Sequence, residues 1–363
     1  MAPVKSLGMV GIVLLLLVAC GPAATTAPTA GQEPAAYPLA ENGPYHVGMR
    51  TVKLEDGSRG GRQVSVTVWY PAVSPADSTS TGATRDAEPD SNGAPYSLVL
   101  SSTKLAALMA PVLVSHGFTW ASVDGIDSYP VMRDEMYNQP LDILFALNYV
   151  ASSPPEALEG LIDAERAGVI GYSFDGFNAL ALSGARVDPE HYLRQCPNPE
   201  PTTQSILSDL SAYNCGPARE WDAFVERAGA FVTLGTDGLW EPMTDPRIRA
   251  VMPLAAEGWW LFGEQGLAAV DRPVLMISGT KDPLYRENAL IFEYLGTTTK
   301  TFISFIGWDH YMIYSSTPVA QMAHFAVAFF GYHLQGRDDY AAYFSQEFVD
   351  QHDDLAWGVY EGN

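Results

Sequence analysis

Gly171-Tyr172-Ser173-Phe174-Asp175-Gly176 follows the apolar run Ala167-Gly168-Val169-Ile170 and precedes a helix-like stretch over 177–184. Strand, tight turn carrying a serine, then helix is the setting a nucleophile elbow requires. The turn lifts the hydroxyl above the sheet edge, and the helix N-terminus behind it favours developing negative charge. Small residues beside the serine let strand and helix approach closely. Gly171 and Gly176 meet that need, whereas Asp175 stands where the G-x-S-x-G pattern has its second glycine, and reads as a helix-terminus charge. Gly-Ser turns also cap ordinary helices, so the strands around the elbow have to decide the reading.

Working outward, short apolar runs recur at helix-length intervals. Pro111-Val112-Leu113-Val114 reads as a buried strand that ends in Ser115-His116-Gly117-Phe118. Further runs cover 167–170, 248–254, 274–278 and 301–306. This spacing predicts an α/β fold with a mainly parallel central sheet and helices on both faces. Val64, Val66, Val68 and Tyr70 alternate with polar residues as a half-buried strand does, and 47–54 is its partner across an Asp56-Gly57 and Gly60-Gly61 turn. Residues 74–94 are polar and read as a surface loop. Thr317 caps the last helix, with Pro318 in its first turn, Met322, Ala326, Phe329 and Phe330 on one face, and Gly336 at its end. The stretch 119–138 is too short for a helix and another strand, so the sheet is expected to lack one helix–strand unit after residue 118.

An activated serine needs a base, and the base needs an acid to orient it. Of seven histidines, His116 precedes the presumed oxyanion turn, and His310 lies in a loop directly after the fifth parallel strand, within Gly307-Trp308-Asp309-His310-Tyr311. Asp282, in Gly279-Thr280-Lys281-Asp282-Pro283, lies just beyond the strand at 274–278. The chain order Ser173, Asp282, His310 is that of α/β-hydrolases and not of chymotrypsin or subtilisin. Asp309 competes as the acid but, as the neighbour of His310 in sequence, is badly placed to reach the ring's far nitrogen. An oxyanion hole needs two backbone N–H donors. Phe174 after the serine and Phe118 after the His116-Gly117 turn are the expected pair. Trp120, Trp259 and Trp308 are candidates for the walls of an acyl pocket.

The ends and the composition set the location. Residues 1–19 read as an export signal, with Lys5 ahead of an apolar stretch too short to span a bilayer as a mature helix. Leu17-Val18-Ala19-Cys20 resembles a bacterial lipobox, which implies lipidation of Cys20 and an extracytoplasmic protein anchored to the bacterial cell membrane. Residues 20–42, rich in Ala, Thr and Pro, read as a flexible tether, and 43–363 as one domain with an insertion at about 187–245. The net charge of −22 argues against a nucleic-acid partner. An exported chain makes a local Cys196–Cys215 disulfide expected, worth about 3 kcal/mol. No paired metal-ligand spacing occurs in the sequence.

Taken together, these stretches resemble the bacterial platelet-activating-factor acetylhydrolase-like, or predicted dienelactone hydrolase, branch of the α/β-hydrolases. Gly43-Pro44-Tyr45, Trp69-Tyr70-Pro71, Ser115-His116-Gly117-Phe118, Gln139-Pro140-Leu141-Asp142-Ile143 and the elbow carry the resemblance. So do 245–251, Gly279-Thr280-Lys281-Asp282, the His310 loop and the cysteine-bearing insertion, and the resemblance covers about 43–344. It implies hydrolysis of a small-molecule or lipid carboxylic ester through an acyl-serine, without a cofactor. It does not imply dienelactone hydrolysis, since those enzymes use a cysteine nucleophile. Asp175 and the shortened 119–138 segment depart from the family's pattern and open a second expectation, an inactive surface lipoprotein binding acyl or aromatic ligands in the same cleft.

Overall fold

The alternating valines at 64, 66 and 68 are buried in a long hairpin, β1 (His46–Asp56) with β2 (Arg62–Ala72). Its antiparallel register runs unbroken from His46 opposite Ala72 to Asp56 opposite Arg62. The computed structural model of the chain describes residues 36–74, 82–125, 132–196 and 214–362. The expected export signal, the lipobox Cys20 and most of the tether lie outside the described residues.

A two-residue strand, β3 (Thr84–Arg85), borders the hairpin; β4 (Tyr96–Ser102), buried along its whole length, then passes directly into α1 (Thr103–Ser115). Next come β5 (Phe118–Val123), α2 (Glu135–Ser152), β6 (Ile162–Tyr172) and α3 (Phe174–Leu182). After an insertion follow β7 (Ile248–Leu254), α7 (Trp259–Leu267), β8 (Val274–Gly279), α8 (Tyr285–Tyr294), β9 (Lys300–Phe305) and α9 (Ser316–Gln335). The insertion holds α4 (Pro189–Gln195), α5 (Gly216–Arg219) and α6 (Trp221–Ala228); α10 (Gln346–Val349) and β10 (Leu355–Trp357) end the chain.

Among the described residues, ten strands form one sheet in the order β10-β9-β8-β7-β6-β4-β5-β2-β1-β3. From β9 to β5 every neighbouring pair is parallel. Helices α1 and α9 cover one face, and α2, α3, α7 and α8 the other, so two apolar layers sandwich the sheet. The expected α/β architecture with helices on both faces is therefore present.

Two expectations are corrected. Pro111-Val112-Leu113-Val114 is the end of a helix, not a strand. Leu105, Ala106, Met109, Ala110 and Leu113 recur at helical spacing and are all buried, while Leu108 is exposed. A four-residue apolar run cannot distinguish the two periods, and the true strand, β4, lies ahead of it. With β4, α1 and β5 recognised, no helix–strand unit is missing after residue 118.

The tether boundary also moves. Leu39 is buried against α9, and its backbone N–H donates to Nδ1 of His324 at 3.1 Å. Burial pulls the His324 imidazole down to about 3, so it stays neutral and keeps the lone pair that this bond needs. Residues 37–42 thus belong to the folded unit. Helix α9 begins after Ser315 rather than Thr317, and Gly336, at φ 70°, closes it as expected. Met322, Ala326, Phe329 and Phe330 are buried core, each large side chain worth about 1.5–3 kcal/mol.

Candidate functional site

Because β4, β6, β7, β8 and β9 run parallel, their C-terminal ends share one sheet edge. Each end delivers a polar residue there. Ser173 follows β6 at φ 62° and ψ −125°, a conformation a non-glycine residue adopts only under constraint. The glycines on either side explain how the turn closes. A Cβ on Gly171 would drive into the Asp175 carbonyl, and one on Gly176 would lie 2.6 Å from the Ala256 Cβ. The Ser173 N–H donates to the Leu254 carbonyl at 3.0 Å, and the Ser173 carbonyl accepts from the Glu257 N–H at 3.1 Å, so the turn is clamped to the end of β7.

The three residues expected to act together are brought together. His310 Nε2 lies 3.0 Å from Ser173 Oγ, and His310 Nδ1 lies 2.8 Å from Asp282 Oδ2. The Asp282 side chain is fully buried, whereas that of His310 is 28 % exposed, so the carboxylate is shielded and the ring is reachable. The other Asp282 oxygen accepts from the Leu284 N–H at 2.8 Å, which fixes the carboxylate plane. A carboxylate facing Nδ1 holds the proton on that nitrogen and leaves Nε2 as the acceptor toward serine. Asp309, the competing acid, is exposed and accepts instead from the Tyr311 N–H.

Asp175 does not distort the elbow. It lies inside α3 and is buried, its Oδ2 accepting from the Ser102 N–H at 3.1 Å and its Oδ1 from Asn178 Nδ2 at 3.0 Å. It thereby ties the elbow helix to the end of β4.

Phe174 opens α3 directly after the serine, as expected of a donor at this edge. Phe118 does not belong there. It pairs with Ser97 at the start of β4, five positions before Ser102, which puts it ~16 Å along the strand from the edge that carries the serine. The neighbouring His116 and Gly117 line a separate cavity of about 430 Å³ with Tyr45, Tyr96 and Arg337. The misplacement follows from reading α1 as a strand, which reversed the end of the sheet assigned to the turn.

The tryptophans divide. Trp120 is a fully buried residue of β5 whose Nε1 donates to Ser101 Oγ at 2.8 Å, so it is core and not a pocket wall. Trp259 starts α7, two residues after Glu257, with its ring packed on His191 and Tyr294. Trp308 is half-buried in the loop that carries His310, and its carbonyl accepts from the Lys281 N–H at 2.9 Å. Cys196 and Cys215 stand at disulfide distance, with Cα atoms 5.6 Å apart.

Sequence reasoning missed three residues at this edge. Glu257, in the loop after β7, places Oε1 3.3 Å from Ser173 Oγ, and its Oε2 accepts from Asn214 Nδ2 at 3.2 Å. Glu287 of α8 accepts from the N–H groups of Gly258 and Trp259 at 2.8 and 3.0 Å. Burial first, and then mutual repulsion with Glu257, pushes Glu287 up to about 8; burial also raises Glu257, against the pull of His310 and Asn214. An acidic residue directly after a buried strand, Ala255-Ala256-Glu257, was the available signal for Glu257.

Chemically, this edge can move a proton from a serine hydroxyl to an imidazole whose charge a buried carboxylate then stabilises. Compared with known proteins, the chain matches no family model and has no significant match among curated proteins.

Proposed function

We propose that the chain is a lipid-anchored, extracytoplasmic serine hydrolase that cleaves carboxylic esters of short-chain acyl, acetyl-phospholipid or polyester type. The observation that carries this reading is the chain from Asp282 through His310 to Ser173, with the serine on a positive-φ turn between β6 and α3. Ser173 Oγ attacks the ester carbonyl as His310 Nε2 takes the hydroxyl proton. The imidazolium, held by Asp282, returns that proton to the departing alcohol. Water then enters by the same route in reverse and releases the acid, with His310 again as base. The Phe174 N–H faces the developing oxyanion, and no cofactor takes part.

The anchoring part of the proposal rests on the sequence alone, from the lipobox-like run ending in Cys20. Hydrolysis of a short-chain aryl ester by the chain from Tyr37 onward, lost in Ser173→Ala with folding intact, is the expected result. Equal turnover by wild type and Ser173→Ala would remove the assignment.

One observation favours the second reading, an inactive lipoprotein that binds acyl or aromatic ligands in the same cleft. The Ser102 N–H, at the β4 end beside the elbow, is engaged by the Asp175 carboxylate, and β4 enters α1 without a loop. A second oxyanion donor is therefore not supplied by that N–H, and one lost donor costs about 10²–10³ in rate. Binding of a boronic acid without any turnover would select this reading.

A further inference from the structure

Glu257 clasps the elbow twice. Its backbone N–H donates to the Ser173 carbonyl at 3.1 Å, and its Oε1 lies 3.3 Å from Ser173 Oγ. The hydroxyl thus sits between two partners, Glu257 Oε1 and His310 Nε2, and has one proton to give. With Nδ1 of His310 carrying the proton that faces Asp282, Nε2 is an acceptor and takes the hydroxyl hydrogen. The contact with Glu257 is then a hydrogen bond only if the carboxyl donates to Oγ. An ionised Glu257 would instead compete with His310 for the same hydrogen.

We infer that Glu257 is a positioning residue, which turns the Ser173 hydroxyl toward His310 in its protonated form and diverts it when ionised. The inference rests on the ester-hydrolase reading of this site. Glu257 contacts Oγ and not the imidazole's Nδ1, so it is no substitute for Asp282. Its own proton is not transferred during acylation or deacylation.

The surroundings favour the protonated form. The carboxyl is buried, and the titratable groups that face it are His310 from the loop after β9, Asp282 from the loop after β8 and Glu287 from α8. Asp282 disfavours its charge, whereas His310, the Asn214 amide and the Ser173 hydroxyl favour it; burial outweighs them and raises the carboxyl above its ordinary range.

The test is the rate of Ser173 phosphonylation by a fluorophosphonate across pH, for the chain from Tyr37 onward, for E257Q and for E287Q, with thermal melts as the folding control. Wild type should lose rate on the alkaline side of its optimum, about tenfold per pH unit, as Glu257 ionises. E257Q keeps a neutral donor at the same place. It should react within about fivefold of wild type at the optimum, the scale of one misaligned hydrogen bond, and hold a plateau in alkali. E287Q should keep that alkaline limb, because Glu287 binds the N–H groups of Gly258 and Trp259 and not Ser173 Oγ.

An alkaline limb that persists unchanged in E257Q, or one that vanishes only in E287Q, would overturn the inference. So would a folded E257Q that is unreactive at every pH, since the carboxylate itself would then be required. A wild type that does not react at any pH would overturn the ester-hydrolase reading and the inference with it.

Discussion

The Tyr172 hydroxyl donates to the backbone carbonyl of His310 at 2.7 Å, which ties the residue before the serine to the loop that carries the base. The ring of Tyr172 also lies 5.4 Å from the imidazole. Burial holds this phenol far above its ordinary range, so it remains a donor at any working pH. Tyr172→Phe removes the bond while keeping the packing. Esterase kcat should fall about tenfold with KM little changed, since a small displacement of the base is felt in the transition state. Steady-state kinetics on a short-chain aryl ester would check it; an unchanged kcat would show that the loop is held by other contacts.

Asp282→Asn keeps the size of the side chain but can donate to Nδ1 instead of accepting from it. The imidazole would then present its N–H to the serine. The expected loss in kcat is about 10⁴, with the fold retained, as far as a wrong tautomer costs in other Ser-His-Asp centres. A loss of less than tenfold would point to another acid.

Asp175 joins the Ser102 N–H and the Asn178 amide inside a buried space. In Asp175→Ala both donors lose that acceptor, which should lower stability by about 1–3 kcal/mol. Chemical denaturation with the midpoint and slope compared against wild type reads this directly. An unchanged midpoint would mean that water or a backbone shift replaces the carboxylate.

Asn214, whose amide donates to Glu257, is the residue before Cys215, which stands at disulfide distance from Cys196. Reduction should therefore do more than loosen an insertion. It should lower stability by about 3 kcal/mol and also slow Ser173 phosphonylation, because the amide that holds Glu257 is released. Melting and labelling measured with and without a reductant would separate the effects; slower labelling without a lower melt would contradict the structural link.

Glu287 makes stability depend on pH in a defined direction. Its carboxyl is raised from the ordinary 4.5 to about 8 in the fold, so across that window the folded state holds a proton that the unfolded chain has released. The contribution is full below about 4.5 and is lost as pH rises towards 8. Glu287→Gln cannot ionise and keeps the oxygen that accepts from Gly258 and Trp259. Its melting temperature should gain on wild type as pH goes from 5 to 8; a constant difference would show that Glu287 does not titrate in this range.

Ser173, Asp282 and His310 were legible in the sequence for one physical reason. Each follows a short buried strand almost at once, and parallel strands bring such residues to a common edge. Where that regularity failed, so did the reading. The apolar run at 111–114 is too short to show its period, and calling it a strand carried Phe118 to the wrong end of the sheet. Trp120 went with it, since a tryptophan in a strand looks like one in a loop until the strand is placed. Glu257 stood in the same position after β7 as Asp282 does after β8, but a search for a partner of histidine passes over a partner of serine. Asn214 depends on how the insertion folds back, and nothing local in its sequence encodes that.

The most direct measurement is intact-mass analysis of the folded chain, from Tyr37 onward, after treatment with a fluorophosphonate, beside Ser173→Ala. A single adduct on wild type and none on the variant is the predicted result, and would mean that Ser173 is activated by the His310–Asp282 pair. An unlabelled, folded wild type, or equal labelling of both proteins, would contradict the account at its centre.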